Sequence, residues 1–418
     1  MFSRYILFEL KRLLKMPKNI VVLIVFALGI FVFYGFNLVQ HEATYGARVA
    51  ELDEERQMYI AEIKYYRRLS ETMTGEVIFN LLNADYRQLS RQYMAAKRGI
   101  DLGEAEQWRN ELAAIIRRDE VVLIGLLDLE RLSNQEVEEE FSTEYLLPLR
   151  YRNLSKDFLV ANIKKYRYIE NTELYPVFFD YDMTNWQFLL RLIHIFGRVA
   201  IPFFVVLLTG DAFSSERDTG SYKFLLLQPL SRAKVYLAKY AASLLMCFGV
   251  IILFKSLLFG INGAFNGMGE GGYPVRFVYS GEPLRLLPYD EEGNLLLSNL
   301  DPGTVMPSGF VAISEYIMWS FLLILFYLAF LIAFVALISI FADNSISALA
   351  VSTGIVLASM LISDFLPQGD FMWNPLEYID IYNLANGNFG NFVWYPLVWA
   401  LGVGVVGMIY FSRKDIIC

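Results

Sequence analysis

The sequence predicts an all-α polytopic membrane protein with six transmembrane helices, a helical extracytoplasmic domain and a small β-containing extracytoplasmic insert. Composition is the first reason: 56% of the 418 residues are hydrophobic and only 19% are charged, whereas soluble proteins carry about 25% charged residues. The second is the presence of six apolar stretches of about 20 residues, the length that crosses a hydrocarbon core about 30 Å thick. The third is the uneven placement of Lys and Arg in the segments between them.

The six predicted spans differ in how clearly the sequence marks them. The first and the last contain no charged residue, whereas the third contains Lys239 and Lys255, which we expect to extend toward the two interfaces. The second is the weakest because Arg191, His194 and Arg198 interrupt it. The predicted spans are residues 20–39, 186–212, 235–260, 313–342, 345–364 and 392–412.

The cationic residues predict the orientation of the chain. They concentrate in residues 1–19, in the connection 213–234 and in the tail 413–418, while the loop 365–391 has no Lys or Arg. Because cytoplasmic loops are enriched in these residues, both termini are predicted to be cytoplasmic. An even number of spans independently places both termini on one side of the membrane, and we expect a multi-pass protein of the plasma (inner) membrane.

Composition also excludes several functions. Two His and two Cys are too few for a His-rich or Cys-rich metal site or for a disulfide framework. A nucleic-acid-binding protein would need a basic stripe, which the sequence lacks. We therefore expect neither a metal nor a nucleic acid.

Residues 1–19 are predicted to form an amphipathic helix on the inner leaflet, with apolar residues facing the acyl chains and basic residues facing the headgroups. Pro17 is expected to end it where the chain turns into the bilayer. A cleaved signal peptide is the alternative. The apolar stretch is long for a signal core and no small-x-small cleavage site follows it, which favours the helix.

Residues 40–185 form the predicted extracytoplasmic domain. Apolar residues spaced three to four apart predict a helix over 51–98, which could continue directly from the first span, and two more over 111–132 and 154–168. These helices would form a small bundle of an ordinary domain size.

Residues 261–312 form a second extracytoplasmic insert, rich in Gly, Pro and Asn. Short alternating runs at 275–280, 284–289 and 294–297, with a Glu292-Gly293 turn, predict a β-hairpin. Gly267, Gly269 and Gly272 formally match G-x-G-x-x-G. A nucleotide site is excluded because no strand precedes the motif, no helix follows it, and it lies on the side of the membrane without ATP.

The connection 213–234 carries the functional signal. Gly220 is expected to end one helical element, Ser221 to cap a short helix that Pro229 stops, and Ser231 to cap the third span. A short helix held between two spans has the shape needed to transmit force from a cytoplasmic partner. The alternative is a plain linker.

This segment resembles the permease subunit of ATP-binding-cassette exporters of the type-2 permease family. That family commonly has Glu-(Arg/Lys)-x-x-Gly-(Thr/Ser), a Leu-rich turn and Pro-(Leu/Val)-Ser-Arg after the second span, followed by a Lys that here is Lys239. The N-terminal interfacial helix, the Asn374-Pro375-Leu376-x-Tyr378 stretch and the ending Phe411, Arg413, Lys414, Asp415 are similar too. The resemblance assigns ATPase coupling to Glu216, Arg217, Gly220, Ser221, Tyr222, Leu225, Leu226, Pro229, Ser231 and Arg232.

The resemblance implies a separate ATPase subunit, in two copies, and a second permease chain that forms a homodimer or a related heterodimer. Because the sequence contains no G-x-x-x-x-G-K-[ST] motif, ATP and Mg would be bound by the partner and this chain would have no cofactor or ATPase activity. Membrane lipids complete the expected partners. The family does not define the cargo: we expect a peptide, antibiotic or lipid-like compound, with sodium export as the alternative.

Two groups of residues inside the spans are further candidates. Arg191, His194 and Arg198 would share one helical stripe and either line a polar track for an anionic or amphipathic substrate or pair with acids such as Asp364 and Glu315. The second interpretation is favoured. Small residues every four positions predict close helix packing in the fifth span, within the chain rather than at a homodimer seam: Ala350, Gly354 and Ala358.

Two other functional classes agree less well with the sequence. An intramembrane enzyme would need paired acids, a nucleophile with its base, or clustered His, and His194 is the sole His in a span. A membrane sensor or scaffold would explain the extracytoplasmic domain but would not need the segment 213–234.

Overall fold

The computed structural model describes residues 2–69, 73–97, 107–134, 148, 151, 154, 156–177, 183–220, 231–276, 300–307, 309–365 and 394–413. The chain divides into two compact units. Unit 1 comprises Met1–Phe36, Met183–Gly269 and Ser314–Cys418, and unit 2 comprises Asn37–Asp182 and Glu270–Ile313.

Helices dominate both units. Those with residues in unit 1 are α1 (Phe2–Lys15), the start of α2 (Pro17–Leu69), α6 (Asn185–Arg191), α7 (Gly197–Thr209), α8 (Ser214–Asp218), α9 (Arg232–Asn266), α10 (Ile313–Phe341), α11 (Ser345–Phe365) and α12 (Tyr395–Arg413). Unit 2 contains the rest of α2 with α3 (Met73–Lys97), α4 (Gln107–Asn134) and α5 (Lys156–Asn171).

Six helical segments are long and apolar enough to cross a membrane, which confirms the predicted all-α polytopic fold. In chain order they are Pro17–His41, Asn185–Asp218, Arg232–Asn266, Ile313–Phe341, Ser345–Ile362 and Tyr395–Arg413. Each of the six overlaps one predicted span, with ends that differ by a few residues.

The junction between α1 and α2 is set by Pro17. α1 ends at Lys15 and α2 begins at Pro17, where the missing N–H of proline costs no helical hydrogen bond. The side-chain amide of Asn19 is buried and donates to the Leu13 carbonyl at 2.9 Å. This bond fixes the turn between the two helices.

The second span is irregular. α6 passes into a five-residue π-helix, Leu192–Phe196, before α7 begins, and α7 contains Pro202. A π-turn holds more residues than an α-helical turn, so the residues after it are rotated about the helix axis relative to those before it. The i, i+3, i+7 stripe expected for Arg191, His194 and Arg198 on a regular helix is therefore wrong.

Unit 2 is a helical unit with an apolar core, in which Ile78, Leu82, Leu123 and Leu159 are fully buried. α3 and α4 approach closely at Gly125, where a Cβ would lie 2.5 Å from a Leu81 methyl carbon. The predicted helix over 51–98 is divided into the end of α2 and α3, and α2 does continue from the first span.

A buried carboxylate adds a polar centre to unit 2. Asp85 accepts hydrogen bonds from the hydroxyls of Tyr59, at 3.2 Å, and Tyr151, and from the Arg118 guanidinium at 2.5 Å. Burial raises the pKa of the neighbouring Asp119 despite its ion pair with Arg118.

A two-stranded antiparallel sheet is the β structure of the described residues. β1 (Pro274–Arg276) pairs with β2 (Phe310–Ala312), with Val275 opposite Val311. It therefore joins the two ends of the insert. Most of the predicted hairpin, residues 277–299, lies outside the described residues.

Candidate coupling site around Glu216

Residues 211–220, which we call the post-span segment, follow α7 directly. A turn over 211–213 leads into α8, where Ser215 donates its backbone N–H to the Asp211 carbonyl at 2.9 Å. The preceding Gly210 is close to both its own helix and α11: an added Cβ would lie 2.5 Å from the Val206 oxygen and 2.8 Å from Leu349. Gly220, with φ +67°, ends the segment in a conformation that favours glycine.

Glu216 is the centre of this segment. Its side chain is 4% exposed and accepts hydrogen bonds from Arg12 in α1 and Lys239 in α9. Arg12 also pairs with Glu9 at 2.8 Å. We call Glu9, Arg12, Glu216 and Lys239 the Glu216 cluster. Its members are distant in sequence, so the cluster fixes α1 and the start of α9 to the post-span segment.

The charges of the Glu216 cluster cancel: two carboxylates face one guanidinium and one ammonium. An unpaired charge would be costly to bury in an apolar bundle, so this balance is what permits burial. Burial lowers the pKa of Arg12, but the carboxylates of Glu9 and Glu216 outweigh it and hold the pKa above its ordinary value. Lys239 also donates to the Ala212 carbonyl at 3.0 Å.

The end of α10 is bound to the same segment. The hydroxyl of Ser339, which is fully buried, accepts the backbone N–H groups of Phe213 at 3.2 Å and Ser214 at 3.1 Å. Arg217 donates to the carbonyls of Ile340 at 2.5 Å and Ser339 at 3.2 Å. A cation is favourable at a helix C-terminus, where backbone carbonyls lack helical partners.

The start of α11 is bound through a carboxylate. Asp218 accepts the backbone N–H of Ser345 at 2.9 Å and its hydroxyl at 2.5 Å. An anion at a helix N-terminus accepts hydrogen bonds from the free N–H groups and is stabilised by the positive end of the helix dipole. Together with an ion pair between Asp211 and Lys18 of α2, these contacts connect the post-span segment to five other helices.

Aromatic packing surrounds the cluster. Phe213 stacks on Tyr236 of α9 with ring centroids 5.5 Å apart and meets Phe411 of α12 at 5.2 Å. Tyr5 of α1 belongs to the same buried group. Burial, reinforced by the charge of Glu9, raises the pKa of Tyr5. Apolar walls of this kind exclude water and strengthen the ion pairs inside.

The structure describes part of the predicted coupling set. Glu216, Arg217 and Gly220 lie in the post-span segment, Ser231 stands at the N-cap of α9 without a side-chain capping bond, and Arg232 donates to the Ser412 carbonyl at 3.5 Å. The remaining predicted coupling residues lie outside the described residues: Ser221, Tyr222, Leu225, Leu226 and Pro229.

Sequence reasoning missed most contacts of the post-span segment. The sequence predicts Arg12 and Lys18 only as basic residues facing headgroups, and it does not mark Asp211, Asp218 or Ser339. One signal was available, because Glu9 and Arg12 stand at i, i+3 in a helix where Glu9 is the sole acid.

The prediction that Lys239 and Lys255 extend toward the interfaces is wrong. Lys239 is 2% exposed and paired with Glu216, while Lys255 is 5% exposed and lies over the Phe321 ring at 5.0 Å. Among the described residues, Lys255 Nζ has no hydrogen-bond partner. A cation–π contact is the observed compensation for its charge.

The other intramembrane candidates occupy separate environments. His194 Nε2 lies 3.0 Å from the Tyr316 hydroxyl, and Arg191 contacts the Met183 sulfur at 3.7 Å. Glu315, one of the acids considered as a partner, accepts a hydrogen bond from Trp319 at 3.4 Å. The side chain of Asp364 lies outside the described part, and a polar track stays a prediction.

Within the described residues, the small-residue face of the fifth span is not covered. Ala350, Gly354 and Ala358 are exposed, and a Cβ added to Gly354 would meet nothing within 4 Å. The buried face consists of other residues, among them Ala348, Ser352 and Val356. In the described part of the chain α11 therefore packs with its other side, and close packing of the small-residue face stays a prediction.

Comparison with known families decides the class of this chain. The model of the ABC-2 family transporter protein matches residues 7–384. The chain belongs to this family. It is accordingly a membrane permease subunit of an ABC transporter, a multi-pass transport protein that contains the Glu216 cluster within the matched region. No curated protein matches the chain. Within the described residues, no group of three or more His, Cys, Asp or Glu could hold a metal ion.

Proposed function

We propose that this ABC-2 permease couples ATP hydrolysis by a separate ATPase subunit to export of a peptide, antibiotic or lipid-like compound, with residues 213–234 as the coupling segment. One observation carries the proposal: the post-span segment is bonded to α1, α2, α9, α10 and α11 at once. A displacement of this segment would therefore displace the ends of several spans together.

The physical basis is the nature of these bonds. The Glu216 cluster is buried and charge-balanced, so separating its members leaves a charge without its partner in an apolar site, at a cost of about 3–5 kcal/mol. Because separating these ion pairs is costly, a displacement of the post-span segment moves the helices bonded to it. A plain linker would need no such set of contacts, which supports coupling over mere connection.

The partners follow from this mechanism. Two ATPase subunits would bind ATP and Mg²⁺ and dock beneath residues 220–228, on the cytoplasmic side of the plasma membrane. A second permease chain, identical or related, would complete the pathway. The exposed face of Ala350, Gly354 and Ala358 supports a packing site for that chain, since small residues permit close helix approach.

The cations inside the spans bear on the cargo. Lys255 is buried in α9, and Arg191 and Arg198 are half-buried in the second span, so this unit presents positive charge within its helices. Positive charge repels sodium ions and attracts acidic groups. This favours a peptide or lipid-like cargo that carries acidic groups over sodium.

The test uses the permease purified together with its ATPase subunit in lipid nanodiscs. Glu216→Gln should reduce ATP turnover in the complex several-fold, while Pro229→Ala should weaken co-purification of the ATPase. Glu54→Gln, an exposed acid in unit 2, is the matched control. If Glu216→Gln and Pro229→Ala leave both association and turnover unchanged, residues 213–234 are a plain linker and not the coupling segment.

A further inference from the structure

α1 has two faces of different chemistry. Tyr5, Glu9 and Leu13 are buried against unit 1, and Arg12 is drawn to the same side by Glu216. The opposite side is exposed and contains Arg4, Lys11 and Lys15 together with apolar residues, of which Leu7 is 57% exposed and Phe8 is 56% exposed.

Helical geometry aligns the exposed cations. At 3.6 residues per turn, Arg4, Lys11 and Lys15 fall within about 40° of one another around the helix axis. Leu7 and Leu14 flank them on one side and Phe8 on the other. Glu9, the sole acid of α1, points about 140° away from the centre of this stripe.

The exposed face therefore carries three cations and no acid. Arg12 is the one cation of the helix that is compensated by carboxylates in the interior. If the exposed stripe served only solubility, it would not need large apolar residues on both sides. Basic groups between leucine and phenylalanine side chains suit a surface with phosphate charges above and acyl chains below.

We propose that Arg4, Lys11 and Lys15 bind the headgroups of anionic phospholipids and thereby make the activity of the permease depend on lipid charge. Lipid binding at α1 can affect the post-span segment directly, because Arg12 of the same helix is bonded to Glu216. Lipid binding stands by itself, whereas its effect on ATP turnover rests on the proposed coupling function.

Lipid binding is tested with a photo-crosslinking amino acid in place of Leu7, in nanodiscs of equimolar phosphatidylglycerol and phosphatidylcholine. With Arg4, Lys11 and Lys15 unaltered, the crosslinker should yield about tenfold more phosphatidylglycerol adduct than phosphatidylcholine adduct. Changing Arg4, Lys11 and Lys15 to Gln together should reduce this preference to below about twofold. A control with Lys64, Arg87 and Arg117 changed to Gln, all exposed in unit 2, should retain it. Equal crosslinking to both lipids by the unaltered stripe would overturn the proposal.

Regulation is tested in the same complexes by ATP turnover. We expect turnover to rise with the fraction of phosphatidylglycerol in the unaltered complex and to lose that dependence in the Arg4, Lys11 and Lys15 variant. Loss of ATPase co-purification in that variant, with lipid crosslinking unchanged, would show instead that the stripe binds the ATPase. Preserved crosslinking preference without any effect of the permease on turnover would reject the coupling function but not lipid binding.

Discussion

Two buried lysines, one near each end of α9, have very different partners for their charges. Lys239 and Lys255 are separated by about 24 Å along the helix and are both at least 95% buried. Lys239 bonds to a carboxylate and a backbone carbonyl, whereas Lys255 has an aromatic ring and, in the described part of the chain, no hydrogen-bond acceptor. The first end is a connected network and the second is a single side chain in an apolar site.

The two lysines therefore differ in what their charges do: the charge of Lys239 stabilises the bundle through its partners, whereas the charge of Lys255 is unfavourable to bury. At Lys239, removing the lysine leaves Glu216 undercompensated, so the network stabilises the bundle only when complete. At Lys255, removing the charge leaves no partner behind. The end of the bundle next to the post-span segment is therefore the one held by charges, as the proposed coupling function requires.

The largest effect is expected for Lys239→Met. The change leaves Glu216 with Arg12 alone and removes the bond to the Ala212 carbonyl, so the free energy of unfolding should fall by about 3 kcal/mol. Thermal unfolding in nanodiscs measures it. Lys234→Met, at an exposed lysine in the first turn of α9, is the control, and equal melting temperatures for the two variants would remove the contrast with Lys255.

Ser339→Ala should follow in size. Two backbone N–H groups would lose their acceptor in a buried site, at a cost of about 2 kcal/mol, and the end of α10 would loosen from the post-span segment. Hydrogen exchange at Phe213 and Ser214 should accelerate. Ser320→Ala is the control, since the hydrogen bond of this buried serine in the described part of the chain lies within its own helix, to the Tyr316 carbonyl. Faster exchange in both variants would indicate general loosening.

Lys255→Met should have the opposite sign. It replaces a buried ammonium with an apolar side chain of similar length, so the melting temperature should rise by about 1–4 °C. Leu257→Met, at an exposed position of α9, controls for the added methionine. A fall in melting temperature comparable with that of Lys239→Met would mean that Lys255 also has an anionic partner.

The smallest effect concerns Lys165 in unit 2, whose ammonium lies 5.1 Å from the centroid of the Tyr273 ring. Burial lowers the pKa of Lys165. The folded state therefore disfavours its protonated form, and this cost disappears as the pH rises toward the unfolded pKa of about 10.4. Lys165→Met should slow hydrogen exchange in α5 at pH 7 and have less effect at pH 10, whereas Lys164→Met should leave exchange unchanged at both pH values.

The sequence predicted what depends on local pattern. Apolar length located all six spans, Pro17 located the end of α1, and the residues from Glu216 to Arg232 supported the family that the comparison confirms. These features are properties of contiguous residues and need no knowledge of which helices meet.

The partners of each charge could not be predicted, because they are contributed by distant parts of the chain. Arg12 and Glu216 are 204 residues apart, and Asp218 and Ser345 are 127 apart. The π-helix at Leu192–Phe196 changed the stripe expected for Arg198, and no composition signal marks it. The environment of Lys255 could not be predicted, because its position over the Phe321 ring depends on how the helices pack against one another.

ATP turnover of the Arg12→Gln variant tests the central claim most directly, that charge contacts at Glu216 join the coupling segment to the spans. The complex with the ATPase is assembled in phosphatidylcholine nanodiscs, where the lipid stripe has no anionic headgroup to bind. Arg12→Gln should reduce turnover about fivefold without loss of co-purified ATPase, while Lys11→Gln, at the exposed neighbour, should leave turnover unchanged. Equal turnover in the two variants would contradict the account.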